Sequence, residues 1–76
     1  MNKLLNKQLG DILKSSRVKS GLTVRQVAKK IDKAHTTVSD HELGKISISV
    51  EVLFQYCDVY DLNPTKVLKE INYKQK

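Results

Sequence analysis

The chain has 76 residues, less than a typical domain, so it is expected to form one small module with no catalytic cleft between domains. Its hydrophobic fraction of 39% is too low for a membrane protein, and no transmembrane span or secretory signal is expected. The single cysteine, Cys57, cannot form an internal disulfide, and with two histidines it cannot complete a zinc site. We therefore expect a cytoplasmic protein with no metal and no other cofactor.

The net charge of +6 is unevenly distributed along the chain. Residues 1–45 contain ten basic and four acidic side chains, whereas residues 46–76 contain four of each. This asymmetry predicts that the first part faces a polyanion and that the rest has a structural or dimerising role. A solvated, lysine-rich surface is an equally good interpretation of the composition alone.

Apolar periodicity predicts five helices, of which the first spans Lys3 to Lys19 and ends before Gly21. Thr23 and Gln26 form a capping-box signature at the start of the second helix, which continues to Ile31. The third helix is expected over residues 35–43, ended by Gly44. The fourth has its inner face at Val50, Leu53, Cys57 and Tyr60.

The fifth helix is opened by Asn63 as N-cap and Pro64 at the first helical position. Helices four and five together cover about 50–71, and the tail 72–76 is expected to fray. The chain is thus expected to be a single domain over residues 1–76, and a pair of short helices joined by a short turn lies at about 23–44.

The stretch TVRQVAKKIDKAHTTVSDHELG at residues 23–44 resembles the helix-turn-helix of the Cro and phage-repressor type, the xenobiotic response element family. The resemblance extends to Leu9-Gly10 and Arg17 and to the later pattern Leu53, Cys57, Tyr60 and Leu62. It implies an all-α, five-helix DNA-binding domain whose third helix enters the major groove. Two residues depart from the family pattern. Asp32 replaces the usual turn glycine and can adopt its left-handed conformation, and Val24 replaces a phosphate-binding glutamine.

The resemblance also implies which residues contact bases. The candidates are His35, Thr36 and Asp40, supported by Ala34 and Ser39. His35 could donate to guanine, Thr36 could pack on thymine, and Asp40 could accept from cytosine. The alternatives are that Thr36 and Thr37 cap the helix, that His35 is a solvated surface residue, and that phosphates repel Asp40.

Phosphate contacts are expected around two helix N-termini and the loop after the third helix, at Thr23, Arg25, Thr37, Lys45 and Ser47. The resemblance implies that Arg17 and Glu42 form an internal ion pair. Helices four and five have more apolar residues than one inner face requires, which predicts a dimer interface containing Val52, Val59, Leu68, Ile71 and Tyr73. The alternative is that these residues complete a small core.

An enzyme is not expected. Ser39, Asp40 and His41 are the residue types of a hydrolase triad, but neighbours one and two apart on a helix do not face each other. His35 and His41 are about 240° apart around the helix and cannot bind one metal; both are interpreted as surface or partly packed residues.

The predicted function is sequence-specific binding of double-stranded DNA by a homodimeric transcriptional regulator, a repressor acting on a pseudo-palindromic operator. The alternative is a protein-interaction module that uses the same fold to bind another repressor or a toxin. Asp40 and the neutral outer face of the third helix favour the alternative slightly. No membrane partner is expected.

Overall fold

Five α-helices follow one another in the computed structural model, which describes residues 3–71. They are α1 (Lys3–Lys19), α2 (Val24–Ile31), α3 (His35–Leu43), α4 (Val50–Val59) and α5 (Pro64–Glu70). The predicted all-α, five-helix fold is confirmed, although α5 ends one residue early because Ile71 is extended (φ −76°, ψ 123°). The tail predicted to fray lies outside the described residues. None of the helices described is both long and apolar enough to cross a bilayer.

Local side-chain caps explain where three of the helices begin. The Thr23 hydroxyl accepts a hydrogen bond from the backbone N–H of Gln26 (3.1 Å), and the Gln26 side chain accepts one from the Thr23 N–H (2.8 Å). This confirms the predicted capping box. Ser49 caps α4 and Asn63 caps α5, each by accepting a hydrogen bond from one backbone N–H of the first turn. Each such cap contributes about 1 kcal/mol to stability.

The turn between α2 and α3 depends on the backbone of Asp32, which is left-handed (φ 58°, ψ 49°), as predicted. Its N–H bonds to the last carbonyls of α2, those of Ala28 and Lys29. Asp61 adopts a similar conformation (φ 55°) in the turn before α5. A left-handed residue other than glycine costs about 1 to 2 kcal/mol, and at Asp32 it keeps the connection between the two helices short.

Two clusters of buried side chains form the core. The larger cluster joins α1, α2, α3 and α4 through Leu13, Val27, Ala28, Ile31, Val38, Val52, Tyr56 and Tyr60. The smaller one joins α1, α4 and α5 through Leu9, Leu53, Cys57 and Val67. The prediction that Val50 faces inward is wrong, since its side chain is 68% exposed. Ser49 places Val50 in the first turn of α4, on the same outward side as Phe54 one turn later.

The backbone of α1 lies directly against the last turn of α3. A methyl group added at Gly10 would lie 2.5 Å from the carbonyl oxygen of Glu42 and 2.6 Å from that of His41. At Gly44, the left-handed residue that ends α3 (φ 75°), an added methyl would lie 2.9 Å from the Cα of Lys7. Glycine at both points allows α1 to hold the C-terminal end of α3 against the core.

Candidate nucleic-acid interface

Helix α3 is divided into a buried face and an exposed face. Val38, His41 and Glu42 are buried, while His35 and Thr36 are exposed at its start, together with Ala34 just before it. A rotation of 100° per residue predicts different sides of α3 for Thr36 and for the buried Val38 and Glu42, whereas His35 lies close to the Glu42 side and is exposed in the first turn. The polar start of α3 is therefore available to a partner while the opposite face is anchored in the core.

The remaining candidate residues on α3 are less accessible. Thr37, Ser39 and Asp40 are half-buried. Leu43 is 54% exposed and adds an apolar group near the C-terminal end. The outer face of α3 thus combines polar, acidic and apolar side chains.

The N-terminus of α3 is not capped by a side chain within the described residues. Its N-cap is Ala34, whose carbonyl oxygen accepts from the N–H groups of Thr37 (3.0 Å) and Val38 (3.3 Å). The interpretation that Thr36 and Thr37 cap this helix is wrong. The first backbone N–H groups of α3 therefore lack a side-chain acceptor, an arrangement that favours an anion.

The residues predicted to contact phosphates lie at the starts of α2 and α3 and after α3. Thr23 is the N-cap of α2, and Arg25 is exposed in its first turn. Lys45 and Ser47 are exposed in the loop between α3 and α4. The Ser47 hydroxyl accepts a hydrogen bond of 3.4 Å from the side-chain amide of Asn6. Asn6 is only 5% exposed and was not predicted, because nothing local relates residues 41 positions apart.

Arg17 and Glu42 lie together and join α1 to the end of α3. The Nε and Nη2 atoms of Arg17 donate to the two carboxylate oxygens of Glu42 at 2.7 and 3.2 Å. Nη1 also donates to the Leu22 carbonyl at 2.9 Å. The hydrogen bonding to Glu42 raises the pKa of Arg17 above its ordinary value. Both side chains are largely buried. This bidentate, charge-assisted ion pair therefore fixes α3 relative to α1.

The hydroxyl of Tyr60 is buried without a hydrogen-bond partner in the described part of the chain. Its ring stacks on that of Tyr56, with centroids 6.1 Å apart. Burial, together with the charge of Glu42, raises the pKa of Tyr60 to about 12. The phenol therefore stays protonated at neutral pH.

His41 is buried against α4, so its interpretation as a surface or partly packed residue is wrong. Its ring nitrogen Nδ1 lies 2.8 Å from the Tyr56 hydroxyl, and the two rings meet edge to face at 5.6 Å. The α-helical spacing places His41 beside the inner face of α3, but only the packing of α4 covers it. The imidazole thus links α3 to α4.

Stability is expected to fall in mildly acidic solution because of His41. Burial lowers its pKa; the charge of Asp40 opposes this shift and that of Lys33 adds to it. The folded state therefore binds the proton less readily than the unfolded state, and stability is lost as the pH falls below about 6.5 towards the folded-state pKa. Melting temperatures between about pH 7.5 and pH 5 should fall more steeply for the wild type than for His41→Gln.

The exposed histidine provides the control for this experiment. His35→Gln is the matched variant, because it makes the same substitution at the exposed histidine of α3 and leaves His41 in place. An equal decrease in melting temperature between about pH 7.5 and pH 5 in the wild type and in His41→Gln would contradict the attribution of the acid sensitivity to His41.

The triad-type residues of α3 are not arranged for nucleophilic catalysis. The His41 ring is engaged by Tyr56, away from the solvent that Ser39 partly contacts. Cys57 is buried, and burial raises the pKa of its thiol, which keeps it protonated. Within residues 3–71, no three His, Cys, Asp or Glu side chains are grouped so that they could hold a metal ion.

Comparisons with known proteins agree with this geometry. A Helix-turn-helix family model matches residues 13–67. The fold is similar to two crystal structures of the clp gene regulator ClgR from Corynebacterium glutamicum, with TM-scores of 0.81 and 0.83 and 30% identity; 88% of this chain and 87% or 71% of those chains are covered. It is also similar to the DNA-binding domain of BldD (TM-score 0.76, 26% identity, 88% of this chain and 97% of that one). A comparison with curated proteins gave no significant match.

The matched region contains α2, the left-handed turn at Asp32 and α3, and it extends through most of the helices that support them. The chain therefore belongs to the helix-turn-helix family, in its Cro/C1 type, whose members are DNA-binding transcription regulators.

Proposed function

We propose that this protein is a cytoplasmic repressor that binds double-stranded DNA sequence-specifically, as a homodimer on a pseudo-palindromic operator, without enzymatic activity or cofactor. The observation that carries the proposal is the exposed polar start of α3 on a helix whose other face is fixed in the core. Such a helix can enter the major groove as a rigid unit.

Base recognition is assigned to the first turn of α3. His35 and Thr36 are exposed there, and an imidazole N–H and a threonine side chain suit guanine N7 and a thymine edge respectively. Asp40, with Ser39, is half-buried further along α3 and would accept from a cytosine amino group. Ala34 lies before the first turn, where its methyl group can contact a thymine methyl.

Phosphate contacts would hold this helix in the groove. The uncapped N-terminus of α3 supplies backbone N–H groups, and Thr37 follows in its first turn. Thr23 and Arg25 lie at the start of α2, and Lys45 and Ser47 lie in the loop after α3. Contacts on both sides of a recognition helix fix its register without reading sequence.

The test of base recognition is a pair of substitutions at the start of α3. His35→Ala and Thr36→Ala should each relax the preference at one or two base pairs by about 1 to 3 kcal/mol. Melting temperatures should stay close to that of the wild type, because both residues are exposed. Competition titrations with single-base operator variants measure the preference. A base-preference profile unchanged in both variants would exclude these residues from the interface.

A second copy is needed because one recognition helix reads only a few base pairs. Support for self-association comes from large exposed apolar side chains on α4 and α5, namely Val50 (68%), Phe54 (54%) and Leu68 (55%). Val52 is no longer a candidate, since it is 8% exposed and part of the core. Val59 and Ile71 are half-buried against the two core clusters, and Tyr73 lies outside the described residues.

Phe54→Lys is expected to shift the protein from dimer towards monomer, because it puts a charge into the proposed apolar contact. Sedimentation equilibrium at micromolar concentrations measures the change. Val18→Lys is the matched control, since Val18 is 61% exposed on α1. A monomeric wild type, or the same dimer in Phe54→Lys, would contradict this interface.

The second candidate is a protein-interaction module that binds another repressor or a toxin. It is favoured by the outer face of α3, where Leu43 is 54% exposed and Asp40 adds negative charge. Affinity for DNA falls steeply with salt, whereas an apolar protein interface changes little. A partner-binding affinity that is insensitive to salt, without DNA binding, would favour this second function.

A further inference from the structure

We propose that the N-terminal end of α1 is an additional DNA-contacting surface, in which Lys3 and Lys7 act with Lys45 on backbone phosphates. This inference rests on the proposed function and extends it to a helix outside the helix-turn-helix unit. The three lysines are called the α1 patch below.

The three lysines of the α1 patch line one groove between two elements. One wall is the first turns of α1, with Lys3, Asn6 and Lys7; the other is the end of α3 and the following loop, with Leu43, Gly44 and Lys45. Gly44 touches the backbone of Lys7 so closely that an added methyl would lie 3.1 Å from its nitrogen. The lysines of α1 are therefore brought next to the lysine that follows the recognition helix.

A partly buried hydrogen bond joins the loop to α1. The amide of Asn6, a residue 5% exposed, donates to the Ser47 hydroxyl at 3.4 Å. The close approach at Gly10 holds the same helix against the last turn of α3. When α3 enters the major groove of DNA, the N-terminal end of α1 approaches the DNA with it, because the two elements belong to one rigid unit.

The charges of the patch fit a duplex. Lys3, Lys7 and Lys45 are all exposed, and Lys3 and Lys7 are one helical turn apart on the same side of α1. Lys7 is paired with Asp11 at 2.8 Å, but both side chains are about 60% exposed, and such surface pairs contribute no more than about 1 kcal/mol. A phosphate can replace Asp11 at little cost. DNA carries one negative charge per about 1.7 Å of axis, so phosphates line the groove beside α3.

The test compares two double variants that each remove two positive charges. Lys3→Ala/Lys7→Ala alters the α1 patch, and Lys66→Ala/Lys69→Ala alters exposed lysines of α5. Binding to a duplex of random sequence is measured by fluorescence anisotropy at several salt concentrations. Lys45→Ala is the reference for one phosphate contact in each subunit, and its loss should weaken binding to all sequences alike.

Log affinity falls linearly with log salt, and each lost phosphate contact makes this slope less steep by about 0.9. In the proposed homodimer each substitution removes one contact from each subunit, so we expect a decrease of about 3.6 in the α1 double variant, about 1.8 in Lys45→Ala, and none in the α5 variant. Equal slopes in the two double variants would overturn the proposal that the α1 patch contacts phosphates, while leaving the proposed function intact. A wild type whose affinity does not depend on salt would overturn the proposed function as well.

Discussion

Replacing Arg17 with methionine is expected to lower the free energy of unfolding by about 3 to 5 kcal/mol. The substitution keeps an apolar stem but leaves the carboxylate of Glu42, whose side chain is 6% exposed, buried without its partner. It also removes the donor to the Leu22 carbonyl. Urea unfolding followed by circular dichroism measures the loss.

Three further variants, Lys7→Met, Glu42→Leu and Arg17→Met/Glu42→Leu, separate the buried pair from a general charge effect. Lys7→Met breaks an exposed ion pair and should cost less than about 1 kcal/mol. Arg17→Met/Glu42→Leu removes both charges and should be more stable than the sum of the single losses implies, because no charge is left unpaired. Additive losses, or a cost for Arg17→Met no greater than that for Lys7→Met, would contradict the coupling of α1 to α3 through this pair.

Gly10→Ala is expected to cost about 3 kcal/mol, although alanine is the better helix former by about 1 kcal/mol. The added methyl would lie 2.5 Å from one main-chain oxygen and 2.6 Å from another, and neither can rotate away. Helix α1 must shift, which disturbs the ion pair and the Asn6 hydrogen bond. The midpoint of urea unfolding measures the effect.

Gly21→Ala is the control for Gly10→Ala. No heavy atom lies within 4 Å of the added methyl there, and only the positive φ of 72° is strained, at about 1 to 2 kcal/mol. A Gly10→Ala variant as stable as the wild type would mean that the close approach of α1 to α3 is wrong.

The sequence was sufficient to predict the helices because their signals are local. The capping box at Thr23 and the Asn63–Pro64 pair lie within a few residues of the ends that they define. A rotation of 100° per residue places Val38 and Glu42 together on the buried face of α3. The left-handed conformation of Asp32 is implied by the resemblance, because the family usually has glycine there and aspartate tolerates the same conformation, whereas no such motif includes Asp61.

Contacts between distant residues were less accessible to prediction. The pairing of Arg17 with Glu42, 25 positions apart, was expected only from resemblance to a family. The burial of Asn6 and His41 depends on Ser47 and Tyr56, which have no recognisable spacing to them.

The sequence also did not distinguish core residues from exposed residues among the apolar side chains of α4 and α5. Apolar composition identified a surplus in α4 and α5, but it could not distinguish Val52, which completes the core, from Phe54, which is exposed. That distinction depends on how α4 is rotated against α1 and α2. Periodicity in a helix with apolar residues on several sides does not define this rotation.

Selection of bound sequences from a pool of random duplexes, at low salt and with the wild-type protein, tests the central claim most directly. The account predicts enrichment of an inverted repeat whose half-sites are centred about 10 base pairs, or roughly 34 Å, apart. His35→Ala or Thr36→Ala should relax the enriched bases within each half-site while keeping the spacing. Failure of the wild type to enrich any sequence would contradict the claim that α3 reads DNA.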